Sequence, residues 1–246
     1  MEDVKSFFDK VAPYYDRIVR MAGADYPLWS KYLKLLLSQN APGNRVLDIS
    51  AGTGSLDVYL LREGFDVYAM DISTAMLKQA PKKGLKGRVV AGSFDAIPFA
   101  SASFDAAIST FDSLNTVLSS DDLLRIFREV NRILVDGGVF LFDMNSPYSY
   151  RTYWDGLERV DEEENLMVVW RAVREGAITR LRIDVFFKGE SGWKRVSGEL
   201  LERAYSLRAI NGLLRRAGFS RAICLNHLGL RSCGRGTMRY QMVAYK

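Results

Sequence analysis

The chain has 246 residues, 48% hydrophobic and 26% charged, which suits one α/β domain with a modest insertion and is ordinary for a soluble globular protein. Its net charge of +5 comes from scattered basic residues with no concentrated stripe, which argues against a nucleic-acid partner. No apolar run approaches a membrane span and Met1-Glu2-Asp3 opens no signal peptide; with one histidine and only Cys224 and Cys233, neither membrane nor metal is expected, and a reduced, cytoplasmic setting is.

The chain opens on an amphipathic stretch in which Val4, Phe7, Phe8 and Val11 share a helical face up to Pro13, followed at once by Tyr14-Tyr15-Asp16. A second helix is predicted from Asp25, with Pro27 in its first turn, burying Leu28, Tyr32 and Leu35. Arg45 to Ile49 reads as a short buried strand, Ser50-Ala51-Gly52-Thr53-Gly54 as a tight turn of small residues, and Leu56, Tyr59 and Leu60 as a helix stopping at Gly64. Strand, glycine turn and helix N-terminus together make a cradle for a nucleotide-like ligand. Asp57 stands where a dinucleotide fingerprint needs its third glycine, and Asp48 would repel a pyrophosphate. A ligand bearing an ammonium or sulfonium charge suits these acids better. The next strand, from Asp66, ends in Asp71, about 20 residues on, where an acid can hold both ribose hydroxyls.

Ser73 then caps a short helix to Gln79, and Pro81 stops it. Arg88 to Ala91 is the third strand and Phe104 to Ser109 the fourth, the latter ending in Thr110-Phe111-Asp112-Ser113-Leu114-Asn115. Ser119-Ser120-Asp121-Asp122 caps a strong helix whose Leu123, Phe127, Val130 and Leu134 face the core, and Asp136-Gly137-Gly138 turns into a fifth strand, Val139 to Met144. Five alternations of strand and helix predict a parallel, doubly wound sheet. From about Pro147 to Arg203 the period becomes two, with Leu181, Ile183, Val185 and Phe187 alternating with Arg180, Arg182 and Asp184; three antiparallel strands are expected, with turns at Glu175-Gly176 and 189–192. A helix from Ser206 to Ala217, a strand from Arg221 to Asn226 and a last strand from Met238 to Tyr245 finish the chain.

The motifs of residues 44 to 145 resemble the class I methyltransferases that use S-adenosylmethionine. Their first motif reads D-x-G-x-G-x-G, and Asp48-Ile49-Ser50-Ala51-Gly52-Thr53-Gly54 matches it except at Ser50. The resemblance implies a mostly parallel seven-stranded Rossmann-like sheet, its last strand antiparallel and inserted between strands five and six. The division expected is 1–146 as cofactor-binding core with an N-terminal helical cap, 147–203 as an antiparallel β insertion serving as substrate lid or homodimer contact, and 204–246 completing the core. The cofactor implied is S-adenosylmethionine, with S-adenosylhomocysteine as product. It would be held by Asp48, Ser50, Ala51, Gly52 and Gly54, by Asp71 and Ile72, by Thr110 and Phe111, and by Tyr15 closing over it. Gly92 to Phe99 is similar to the family's adenine loop, G-D-x-x-x-L-P-F, but Ser93 replaces the aspartate and the acid comes later, at Asp95. Either Ser93 or Asp95 accepts from the adenine, with Phe94 between them.

The implied reaction is in-line methyl transfer to nitrogen or oxygen of a small molecule. Phe111 to Asn115 resembles the D-S-L-N segment of small-molecule enzymes, and the N-P-P-F/Y motif of base-amino methyltransferases is missing. Asn115, Asn145 and Tyr148 are the candidates for reading the acceptor. No general base stands out: Asp112, Asp143 and Tyr15 lie near strand ends or the expected lid, and His227 reads first as an ordinary strand-end histidine. The competing readings are an RNA or protein methyltransferase, a non-catalytic S-adenosylmethionine-binding protein, and, against the Asp57 position, an NAD-dependent oxidoreductase.

Overall fold

The computed structural model describes residues 2–190 and 192–246, and the side chains from Lys5 onward, so the Val4 side chain and Ser191 of the 189–192 turn lie outside what is described. Two helices, α1 (Glu2–Val11) and α2 (Tyr15–Met21), precede α3 (Tyr26–Asn40), whose N-cap Asp25 accepts from Leu28 N over 2.9 Å. The buried face of α3 differs from the one expected. Trp29, Leu33, Leu36 and Leu37 point inward with Tyr32, while Leu28 and Leu35 are exposed, because Trp29 seats α3 against Phe111.

The alternating core then follows as the sequence predicts: β1 (Arg45–Asp48), α4 (Ser55–Arg62), β2 (Asp66–Asp71), α5 (Thr74–Leu77), β3 (Val89–Ala91), β4 (Phe104–Ser109), α6 (Ser120–Ile133) and β5 (Leu134–Asn145). Ser73 and Ser119 are the N-caps of α5 and α6. Chain 147–157 is not strand, contrary to expectation. Pro147 and the Ser146 cap start a helical turn, α7 (Pro147–Ser149), which continues as a π-turn over Tyr150–Trp154. The insertion has four antiparallel strands, not three: β6 (Glu158–Glu163), β7 (Leu166–Glu175), β8 (Ile178–Gly189) and β9 (Gly192–Arg203). The last segment supplies α8 (Leu207–Arg216), β10 (Arg221–Asn226) and β11 (Arg239–Tyr245).

The main sheet runs β10-β11-β5-β4-β1-β2-β3, with β11 antiparallel to both neighbours and inserted between β5 and β10. One face is covered by α6 and α8, through Phe127, Leu213 and the strand residues Phe140 and Phe142; the other by α3 and α4, through Leu33, Leu37 and Leu60. Burying both faces of the central strands turns them into near-continuous apolar runs. The second sheet has its own core: Leu166, Val168, Leu181, Ile183 and Val185 pack on Phe7, Val11 and Ile18 of the N-terminal helices. At Gly198 of β9 helix α1 packs tightly on the strand, since a Cβ there would stand 2.3 Å from the Phe7 ring.

Cys224 and Cys233 form a disulfide, against the expectation of a reduced pair. The chain folds back after β10 through the bonds Asn226 N to Arg231 O and Cys233 N to Cys224 O, which brings the two Cα atoms to 5.4 Å. None of the described helices is long and apolar enough to cross a membrane.

Candidate active site

β1 delivers Asp48 to the carboxyl edge of the sheet, at the point where the chain order reverses on either side, and the glycine turn follows. Gly52 sits at φ +56°, where glycine is at ease, and its N–H donates to Asp71 Oδ2 over 2.8 Å. Gly54 has a different task. A Cβ on it would lie 2.5 Å from Leu85 Cδ1, so it lets the turn pack inward and is not on the cavity wall. Asp71 also accepts from Ser73 N on Oδ1, at 2.8 Å. Each carboxylate oxygen retains a lone pair beyond these main-chain bonds, so the acid is fixed in orientation and still able to receive a diol. Burial raises its pKa against the pull of the same N–H groups.

Under the turn lies a pair of enclosed acids. Asp48 is 1% exposed and Asp57 0%. Asp48 Oδ1 accepts from Ser50 N at 2.8 Å, but Asp48 Oδ2 and both oxygens of Asp57 have no donor among the described residues. Burial pushes Asp48 up to about 7, and burial together with the Asp48 charge pushes Asp57 well above the usual range. Burial thus favours the protonated form of both carboxyls.

A cavity of about 1110 Å³ runs from Asp71 across Gly52 and Phe111 to the underside of the second sheet. Ser50, Ile72, Phe94 and Tyr15 line its near end, and Ile72, 44% exposed, gives a flat apolar wall beside Asp71. Ser93 Oγ donates to Asp95 at 2.6 Å, so the two residues left as alternatives stand together on that wall. Asp48, Ala51 and Thr110 border a small recess of about 30 Å³ shared with Tyr15 and Tyr26. The dimensions, the acid pair and the carboxylate of Asp71 fit a nucleoside carrying a sulfonium and an amino group.

The N-terminal helices are tied down over this end. Asp16, next to Tyr15, accepts from Thr53 Oγ1, from Ser55 Oγ at 2.9 Å and from Lys83 Nζ, while Asp9 accepts from Ser73 Oγ at 2.6 Å. Burial raises Tyr15's pKa and keeps its hydroxyl protonated.

At the far end, Phe111 and Asp112 adopt φ of +57° and +50°, which is rare for such residues and marks stored strain. The conformation is held from two sides. Phe111 stacks on Trp29 with centroids 4.2 Å apart, and Asp112 N donates to Asp143 Oδ2 at 2.9 Å. Arg239, on β11, bridges both acids: Nη2 to Asp112 Oδ1 at 2.9 Å and Nη1 to Asp143 Oδ2 at 3.0 Å. Burial raises the pKa of Asp112 and Asp143 against the pull of Arg239, and disfavours charge on Arg239 less than those acids favour it. His227 packs on Trp29 at 4.3 Å, and burial, then Arg239, lowers it to about 4, so it is neutral.

Of the acceptor candidates, Asn145 lines the cavity and donates to Asp112. Asn115 does not. It is fully buried, donating to Arg203 O at 2.8 Å and Asn145 O at 3.3 Å and accepting from Asn145 N at 2.9 Å, which fastens the loop after β4 to β5 and β9. Tyr148 is 36% exposed and off the cavity wall, because the helical turn directs Ser149, Tyr153 and Trp154 there in its place. The sequence reading missed Arg239, Glu202 and Trp29 as wall residues.

A family profile described as a methyltransferase domain matches residues 47–142. The demethylmenaquinone methyltransferase of Beutenbergia cavernae is 36% identical over 138 residues, 54% of this chain and 57% of that protein. The crystal structure of an S-adenosylmethionine-dependent methyltransferase from Clostridium acetobutylicum superposes with a TM-score of 0.84 at 26% identity, covering 97% of this chain and 98% of that one. CalS10 of Micromonospora echinaspora, an amino pentose methyltransferase solved with S-adenosylmethionine bound, has the same fold, with a TM-score of 0.76 at 21% identity over 94% of this chain and 95% of that one.

Proposed function

Because the chain belongs to the class I S-adenosylmethionine-dependent methyltransferases, we infer that it methylates a small-molecule acceptor seated beneath its second sheet. The observation that carries this reading is the cavity: it continues past Phe111 into a chamber walled by Trp154, Leu181, Ile183 and Leu200, and the insertion forms its roof. S-adenosylmethionine bound at the near end supplies an already activated methyl group, so the chain's work is orientation and exclusion of water.

In this reading Asp71 holds the ribose diol, Ile72 and Phe94 flank the adenine, and Ser93 and Asp95 meet its edge. Ser50 and Gly52 pass close to the amino-acid portion, with Asp48 behind them. Tyr15, Thr110 and Phe111 surround the sulfonium, and the N-terminal helices close the site. The insertion is a lid for the acceptor, supported by its apolar inner side on the cavity.

Incubating the protein with isotope-labelled S-adenosylmethionine and separate pools of small metabolites, RNA and protein tests the acceptor class. Label is expected in the small-molecule pool alone. Label in RNA or protein, with none in the small molecules, would refute it.

A further inference from the structure

β9 presents Val196, Gly198, Leu200 and Glu202 to the inside of the second sheet, so a carboxyl stands on a face that is otherwise apolar or bare. Glu202 is 6% exposed and lies on the cavity wall. Tyr150 Oη donates to its Oε2 over 2.7 Å, the one hydrogen bond to this carboxyl among the described residues. Facing it from the elements around are Tyr150, Asp112 and Arg239, with Asp143 on the far side of Arg239 and His227 elsewhere on the chamber wall. Arg239 is spent on Asp112 and Asp143, and His227 is neutral. Glu202, Asp112 and Asp143 thus all act on the one guanidinium of Arg239, beside a chamber whose walls include Trp29, Phe111 and Trp154. Among the described residues no cation pairs with Glu202.

We propose that Glu202 pairs with the methyl acceptor and shares its proton, and that the acceptor is a basic amine carried on an apolar body. This rests on the chamber being the acceptor site. Burial, with the Asp112 charge adding to it, pushes the Glu202 carboxyl up to about 8, so it is mostly protonated in the empty chamber at neutral pH. An incoming ammonium supplies that cation, and the carboxyl releases its proton to solvent and meets it in a charge-assisted hydrogen bond. The ammonium then passes its proton to the Glu202 carboxylate, which leaves a neutral nitrogen with a free lone pair. That pair forms the new N–C bond as the methyl C–S bond breaks, and the C–S pair stays on sulfur. The product amine is left positively charged. An alkylammonium titrates near about 10, close enough to share a proton with such a carboxyl, whereas an alcohol is far too weak an acid.

Calorimetric titration of the full chain saturated with S-adenosylhomocysteine tests this, with 2-phenylethylamine, 2-phenylethanol and 3-phenylpropionate as probes in buffers of different ionisation enthalpy. Near neutral pH the amine is expected to bind at least about tenfold more tightly than the other two. It should also release about one proton, because the carboxyl gives one up on pairing. Glu202→Gln should lower the amine to the affinity of the alcohol and abolish the release, with S-adenosylhomocysteine affinity unchanged. Tyr150→Phe removes the donor that favours the carboxylate, so release should persist to higher pH; it decides the matter if Glu202→Gln does not fold. Amine binding no tighter than alcohol in the wild type, including no binding of any probe, overturns the proposal, as does preference and release surviving in Glu202→Gln. Failure to bind S-adenosylhomocysteine overturns the methyltransferase reading itself and is seen first.

Discussion

The buried acids Asp48 and Asp57 tie stability to pH. Both folded-state carboxyls titrate higher than they do in the unfolded chain. Below the unfolded value of about 3.9 both states are protonated. Above it the unfolded chain loses protons that the folded one keeps, so stability falls as pH rises toward about 7. Asp57→Asn leaves an amide able to donate to Asp48 without titrating. Denaturation midpoints across this window should flatten, by on the order of 2 kcal/mol between its ends; an unaltered slope would mean that the two acids are not coupled. Asp71→Ala should weaken S-adenosylhomocysteine binding by about 1.5–3 kcal/mol in a calorimetric titration, the usual worth of hydrogen bonds to a charged group. The place of Asp71 at the carboxyl edge of the sheet, beside the glycine turn, was legible because the strand–turn–helix pattern alone sets it. Glu202 was overlooked although its position two after Leu200 breaks the apolar parity of β9. Arg239 was hidden for a different reason: its meaning comes from Asp112 and Asp143, which no local pattern joins to it.

Among the elements, the contact between α1 and β9 carries the most consequence for binding. Gly198 leaves room for Phe7 and no more. Gly198→Val should displace α1, and with it the Tyr15 and Asp16 pair that α2 holds over the glycine turn. S-adenosylhomocysteine affinity is expected to fall by about tenfold or more, while far-ultraviolet circular dichroism stays near wild type and proteolysis before Pro13 becomes fast. Unchanged affinity would uncouple the insertion from the cofactor end. The strands of the core were legible because each is short, apolar and bounded by a turn or cap. β6 was not, since Glu-Arg-Val-Asp-Glu-Glu reads as solvated chain; among the described residues it pairs with β7 alone, and charge on such an edge guards it against pairing with another chain. The inner face of α3 was misjudged because leucines lie all round that helix, and only the position of Phe111 decides which turn inward.

For the molecule as a whole, the Cys224–Cys233 bridge closes the loop that brings His227 and Leu228 to the chamber. Loop-closure entropy for so short a loop gives about 2–3 kcal/mol. Adding a reductant should lower the melting temperature accordingly, and Cys233→Ser should be insensitive to it; equal melting with and without reductant in the wild type would show that the bridge contributes nothing. The doubly wound order was readable from alternation, but a spacing of nine residues says nothing about whether two thiols meet. The seating of Phe7 on Gly198 has an effect on synthesis too. Helix α1 leaves the ribosome long before the strand that receives it, so Phe7, Phe8 and Val11 wait uncovered until β9 has been made. During that interval the apolar cap is exposed to chaperones and to other nascent chains, and the cofactor end cannot close until β9 has emerged.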